Sequence, residues 1–286
     1  MSAAAAAGLA IMIVSEAATL VGIEPFHSWN TPICWTGFIL FADAIVWRAR
    51  RDSWLRSAPA EFAVLALLSI PLWVVFEGYN QIIDNWYYTG VPSNVALRMF
   101  GYAWSFATIW PAIFEGAELV SVWRSRGPRR VVTSLRMRWT ALEWGSVVVG
   151  ALMLASPFFA STNVARYLAA PVWLGFILLL DPINAALGAE SLLGDWRAGR
   201  TSRLTNLVLS GFLCGVLWEF WNYWSGAKWH YSVPIMEHVK IFEMPLPGYL
   251  GFPAFAIECF TMYVFVRAVW NRLRRLDAGR GREIAL

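Results

Sequence analysis

Eight runs of mostly apolar residues, 4–23, 31–47, 61–78, 101–123, 139–160, 167–186, 204–222 and 248–270, constrain this chain more than any other feature. A helix needs about 20 such residues to cross the hydrocarbon core of a bilayer, with a range of about 17 to 25. Inside that core every backbone N–H and C=O must be satisfied within the segment, so runs of this kind have to be helical. The sequence therefore predicts an all-α fold, a polytopic membrane helix bundle of eight transmembrane helices. Composition points the same way, with 58% hydrophobic and only 15% charged residues where a soluble domain carries about 25% charged. The 18 Trp suit a bilayer interface or a site where ring faces stack. Residues 3–23 are apolar but lack a basic leader and a cleavage site, so they read as a retained first helix.

Arginine and lysine set the orientation, because cytoplasmic loops hold most of them. Arg48, Arg50, Arg51 and Arg56 follow the second run. Six Arg lie between positions 124 and 138, Arg197, Arg200 and Arg203 follow the sixth run, and six more run from Arg267 toward the end, making 19 on one side. The other side has Arg98, Arg166, Lys228 and Lys240 alone. Loops alternate in basicity without exception, which predicts both termini in the cytoplasm and, for a bacterial chain, the inner (cytoplasmic) membrane. Basic residues confined to the ends of apolar runs give no nucleic-acid footprint.

The chain also repeats itself. Trp35-Thr-Gly-Phe-Ile-Leu-Phe-Ala-Asp43 matches Trp173-Leu-Gly-Phe-Ile-Leu-Leu-Leu-Asp181, and Glu77-Gly-Tyr-Asn80 matches Glu219-Phe-Trp-Asn222. Trp86-Tyr-Tyr88 matches Trp229-His-Tyr231, Val91-Pro92 matches Val233-Pro234, and Pro111-Ala-Ile-Phe-Glu115 matches Pro253-Ala-Phe-Ala-Ile-Glu258 with one insertion. Offsets of 138 to 143 in unbroken order indicate a tandem duplication, with repeat one over 1–138 and repeat two over 139–286. Four spans per unit is an even number, so the copies enter the membrane in the same direction. They are expected to be parallel repeats about an axis along the membrane normal.

The duplicated residues include carboxylates at membrane depth. A charge at the centre of a spanning helix costs about 2.5 to 3.5 kcal/mol on insertion scales, so such groups normally face a bundle interior or a wet cavity. At 1.5 Å per residue, Asp43 and Glu115 lie about 18 and 21 Å below the outer edge of their runs, and Asp181 and Glu258 repeat the pair. These four are expected to point into one shared cavity. Glu77 with Asn80 and Glu219 with Asn222, each on one helix face by i, i+3 spacing, would form its outer rim, and Trp35 and Trp173 are substrate-binding or packing candidates. Trp86 and Trp229 read as interfacial belt residues, and Glu16 and Glu118, which have no match in the other half, as structural. The alternative for the whole set is polar glue between helices. Cys34, Cys214 and Cys259 show no metal or disulfide spacing. His27, His230 and His238 fall in outer loops and no apolar run holds a Lys, which argues against ligation of haem or chlorophyll at membrane depth and against a retinal Schiff base.

A Trp-x-Tyr loop followed by a Pro-containing apolar run that ends in a buried Glu, here residues 86–115 and again 229–258, resembles the membrane-integral lycopene cyclases of the heterodimeric bacterial and fused fungal type. The family pattern is Pro-x-Glu-Glu, whereas this chain has Glu115-Gly116 and Glu258-Cys259. The resemblance implies a polyene or other membrane lipid as substrate, with Glu115 and Glu258 as proton donors and Asp43 and Asp181 as their tuning partners. Two functions stand open on the sequence. One is an enzyme acting on an isoprenoid or carotenoid-type lipid, in which a buried acid kept protonated by its apolar site adds a proton to a double bond and aromatic faces stabilise the cation. The other is a non-enzymatic carrier, channel or complex subunit whose carboxylates relay protons or bind an ion.

Overall fold

The computed structural model describes residues 2–124 and 140–285. The arginines from 126 to 138, the first residue of the predicted 139–160 run and the boundary between the two predicted units lie outside the described residues. In chain order the elements are α1 (Ala3–Leu20), α2 (Phe26–Arg50), α3 (Trp54–Ser57), α4 (Pro59–Ile83), β1 (Trp86–Thr89) and α5 (Val95–Arg124). They continue with α6 (Ala141–Phe159), α7 (Thr162–Ala165), α8 (Ala169–Leu187), α9 (Leu192–Arg197), α10 (Ser202–Trp224), β2 (Lys228–Tyr231), β3 (Lys240–Ile241), β4 (Met244–Pro245), a 3-10 turn (Leu246–Leu250) and α11 (Gly251–Leu273). Each predicted run coincides with one long helix. Seven of these, all but α5, are long and apolar enough to cross a membrane, and the chain is accordingly a multi-pass membrane protein. The 30-residue α5 is the longest and carries Arg98, Glu115, Glu118 and Arg124.

The same neighbours recur in the two halves. α1 packs on α2, α2 on α5 and α5 on α4; likewise α6 packs on α8, α8 on α11 and α11 on α10. Glycine sets the first of these contacts in each half. A Cβ on Gly8 would lie 2.5 Å from the Gly37 carbonyl oxygen, and one on Gly150 would lie 2.7 Å from that of Gly175. Only glycine lets the backbones approach this closely, the usual role of small residues between membrane helices. The halves meet chiefly where α5 packs on α10. There Ser210 Oγ donates to the Ile113 carbonyl at 2.7 Å, and the Gly116 position has no room for a Cβ beside Ser210.

At one end of the bundle β1 and β2 form an antiparallel ribbon, pairing Trp86 with Tyr231, Tyr87 with His230 and Tyr88 with Trp229. The other end is rich in arginine. There Arg203 bridges Glu190 at 2.7 Å and Asp195 at 2.6 Å, while Arg267 bridges Glu190 as well as Glu61. The segment after α11 folds back into this network. Ile284 N–H donates to Glu190, and Arg203 and Asn206 donate to the Ile284 and Ala285 carbonyls at 3.0 and 2.9 Å. Such buried charges are tolerable because each has a partner.

Candidate functional site

A cavity of about 500 Å3 lies between the ribbon and the helices, within the range of small-molecule sites. Side chains alternate along a strand, so Trp86 and Tyr88 of β1 and Trp229 and Tyr231 of β2 share the face that lines the cavity, while Tyr87 and His230 stack on the other at 5.3 Å. Its floor is aromatic. The Phe255 ring takes the edges or faces of Trp73, Trp173 and Trp218 at 5.7, 5.4 and 6.4 Å, and Trp35 packs against Trp218 and Trp221 at 5.9 and 4.7 Å. Trp35 and Trp173, matched in the sequence, both line the cavity. Trp86 and Trp229 are not belt residues at the lipid interface; they face inward, since α4 and α10 hold their strands over the bundle.

Two carboxyl groups stand directly behind that lining. Tyr88 Oη donates to Glu77 Oε1 at 2.5 Å, joined by the indole N–H groups of Trp73 at 2.8 Å and Trp86 at 3.3 Å. In the other half Tyr231 Oη donates to Glu219 Oε1 at 2.8 Å, and Trp229 Nε1 donates to Tyr231 Oη at 2.8 Å. Burial, reinforced by the adjoining carboxyl, pushes both phenols well above the usual tyrosine range. The neighbouring asparagines hold the strands. Asn80 Oδ1 accepts from the N–H groups of Asn85 and Trp86, and its Nδ2 donates to the Trp86 carbonyl at 2.7 Å. Asn222 Oδ1 accepts from Trp229 N–H at 3.0 Å, and its Nδ2 returns to the Trp229 carbonyl at 2.9 Å. The Glu/Asn pairs are thus one layer behind the cavity wall and do not form a rim.

The four deep acids do not converge on this cavity, and none of them lines it. Asp43 and Asp181 instead cap the short helices that follow their spans. Asp43 Oδ1 accepts from Leu55 N–H at 2.9 Å with Arg56 3.5 Å away, and Asp181 accepts from Leu192 and Leu193 N–H at 2.8 Å each. They sit near the arginine end, where a carboxylate at a helix N-terminus offsets its orphan N–H groups, and so lie outside the shared cavity expected of them. Glu115 and Glu258 are both fully buried. α5 and α11 meet beside them through Trp110 Nε1, which donates to the Cys259 carbonyl at 2.9 Å. Neither Glu258 carboxyl oxygen has a hydrogen-bond partner among the described residues. It lies one turn, about 4.5 Å along the axis, behind Phe255 of the cavity floor. Glu16 accepts from Asn30 at 2.9 Å, and Glu118 lies 3.8 Å from Arg50.

The residues that the sequence reading passed over are Tyr88 and Tyr231. Their signal was present in the duplicated Trp-x-Tyr, since strand alternation puts those two aromatics on one face. Among the described residues no cluster of His, Cys, Asp and Glu could hold a metal ion. No protein-family model, curated protein or solved structure matches the chain.

Proposed function

We propose that the protein is an integral membrane enzyme acting on an isoprenoid or carotenoid-type lipid by acid-initiated chemistry, with the lipid in the aromatic cavity and Glu77–Tyr88 and Glu219–Tyr231 as proton-transfer pairs. One observation carries this reading. Two carboxyl–phenol pairs at matched positions both present a hydroxyl-bearing ring to a single apolar, Trp-lined cavity. Cyclisation of a polyene is an isomerisation. A proton adds to one double bond, a second double bond attacks the resulting cation and closes the ring, and a proton leaves the neighbouring carbon. Two pairs supply what this requires, one giving the proton and the other taking it, while Trp and Phe faces stabilise the cation between the two steps. The resemblance to membrane-integral lycopene cyclases supports the substrate class, and an aromatic lining suits a lipid chain better than a hydrated ion.

The architecture that goes with this reading is eight spans, α5 being the eighth, in two parallel four-helix repeats, with both termini cytoplasmic in a bacterial inner membrane. The recurring helix neighbours and the matched glycine contacts support the repeat. So does the ribbon, where Tyr87 pairs with its own sequence match His230. A twofold axis through that pair exchanges the strands.

The test uses purified protein in liposomes with an acyclic carotenoid in D2O. The expected result is a cyclised product carrying one solvent deuterium per ring, with Glu77→Gln and Glu219→Gln each lowering turnover by about 100-fold to 10,000-fold. Glu258→Gln is expected to cost less, because Phe255 stands between it and the cavity. A product without deuterium, or no turnover of any acyclic polyene, would remove the acid-initiated reading.

A further inference from the structure

The two halves close the sides of the cavity differently. Pro111 matches Pro253, so α11, which starts at Gly251, starts at the match of Ile109, whereas α5 runs on past that position to Val95. The extra turns of α5 shut its crevice against α2. Phe100 and Trp104 pack on each other at 5.7 Å and on Trp29 at 5.4 and 6.3 Å, and Trp104 Nε1 donates to Thr36 Oγ1 at 3.0 Å. Gly101 adds no side chain to this crowded place, where a Cβ would lie 3.0 Å from Trp29 Nε1.

The matched crevice in the other half stands open. At the offset of 138, Tyr167 takes the place of Trp29 and Leu174 that of Thr36. α8 and α11 run side by side from Trp173 against Phe255, 5.4 Å apart, to Asn184, whose Nδ2 donates to the Thr261 carbonyl at 2.9 Å. Toward the ribbon from there, the chain leading into α11 is the 3-10 turn and not a helix. Tyr167 is 54% exposed, Leu174 42% and Leu250 71%, and Ala170 and Ile235 are exposed as well. All five also line the cavity, so they stand at its mouth. Leu174 is about 7 Å along the axis from the first residue of α8, a depth at which its neighbours are lipid chains, and Tyr167 has the amphipathic ring of the membrane interface. Over the ribbon the cavity is roofed. Met244 and Pro245 of β4 are buried on it, and their hairpin is tied down where His230 Nδ1 lies 3.0 Å from Glu243 Oε2.

We propose that an isoprenoid hydrocarbon chain enters the cavity sideways from the bilayer, through the opening with Tyr167, Ala170 and Leu174 on one side and Ile235 and Leu250 on the other. This rests on the reading of the cavity as an isoprenoid site and names the route to it.

Reversible blocking of the opening tests it. Leu174→Cys and, on the closed side, Thr36→Cys are each given a benzyl disulfide by an apolar thiosulfonate reagent, the native cysteines being buried. Uptake of an acyclic carotenoid from liposomes by the full chain is read as colour captured with the protein after extraction into detergent. Blocked before it meets the carotenoid, the Leu174→Cys protein is expected to load more slowly by about 10-fold or more. Removal of the adduct by a reductant should restore loading, which shows that the protein is folded. Blocked after loading, it is expected to keep its carotenoid. The same adduct on Thr36→Cys should leave loading as in the native chain. Undiminished loading by the blocked Leu174→Cys protein overturns the route alone, as does slowing confined to Thr36→Cys. Loss of carotenoid already loaded would mean that the adduct disturbs the site itself, and overturns the route too. A native chain that takes up no carotenoid removes the isoprenoid site and the route together.

Discussion

Asp43 and Asp181 show what a sequence can and cannot say about a single side chain. Their match across 138 residues marks both as built into the fold, and their rank along the helix gives a depth. Neither fact names a partner. The partner is the N-terminus of a four- or six-residue helix, α3 or α9, too short to leave a periodic signal, with Ser53 or Ser191 at its N-cap. Removing the acceptor tests the structural role. Asp181→Ala strands the N–H groups of Leu192 and Leu193 and, like loss of a helix cap, should cost about 1–2 kcal/mol. The expected outcome in detergent is a melting temperature lower by about 2–8 °C, with turnover per folded molecule unchanged. A folded Asp181→Ala protein without turnover would return this acid to the reaction.

Among the elements, the long helices were legible and the ribbon was not. Apolar runs fix helices in lipid because no other single-segment structure satisfies the backbone there. Only the outer few residues of each helix differ from the runs, as in α2, which begins at Phe26 before the run at 31. The ribbon's strands are four residues each and pair across about half of the chain, so no local pattern joins them. What the sequence did contain was the pairing of Glu77 with Asn80 and Glu219 with Asn222, and these latch the strands. Asn80→Ala would leave the Asn85 and Trp86 N–H groups without their acceptor, at about 1–3 kcal/mol for a buried donor. Amide exchange of residues 85–89 should then quicken by about 10-fold to 100-fold, and Asn222→Ala should do the same for 228–231. Unchanged protection in both would mean that the ribbon is held by its ring contacts and not by the asparagines.

At the scale of the whole molecule the two ends are opposites, and the orientation we propose rests on that asymmetry. The arginine end buries Arg203 and Arg267 against Glu190 and draws residues 284 and 285 into the same network. The ribbon end holds the cavity and its few cations. Sequence alone could propose sides by counting 19 basic residues against 4, but it could not show that residues 98, 166 and 228, far apart along the chain, all border one cavity. The orientation we propose rests on the same count, because segments rich in Lys and Arg resist translocation. Cys34, Cys214 and Cys259 are buried, so a single introduced cysteine can be read against a quiet background. Ser93→Cys, beyond the ribbon, should react with a membrane-impermeant maleimide in intact cells, whereas Arg275→Cys, beyond α11, should react only after lysis. The reverse pattern would put the cavity on the cytoplasmic side, and a lipid substrate of the kind we propose would then have to come from the inner leaflet. Labelling of both sites in intact cells would put the two ends on the same side of the membrane, which no arrangement of these long helices as full spans allows.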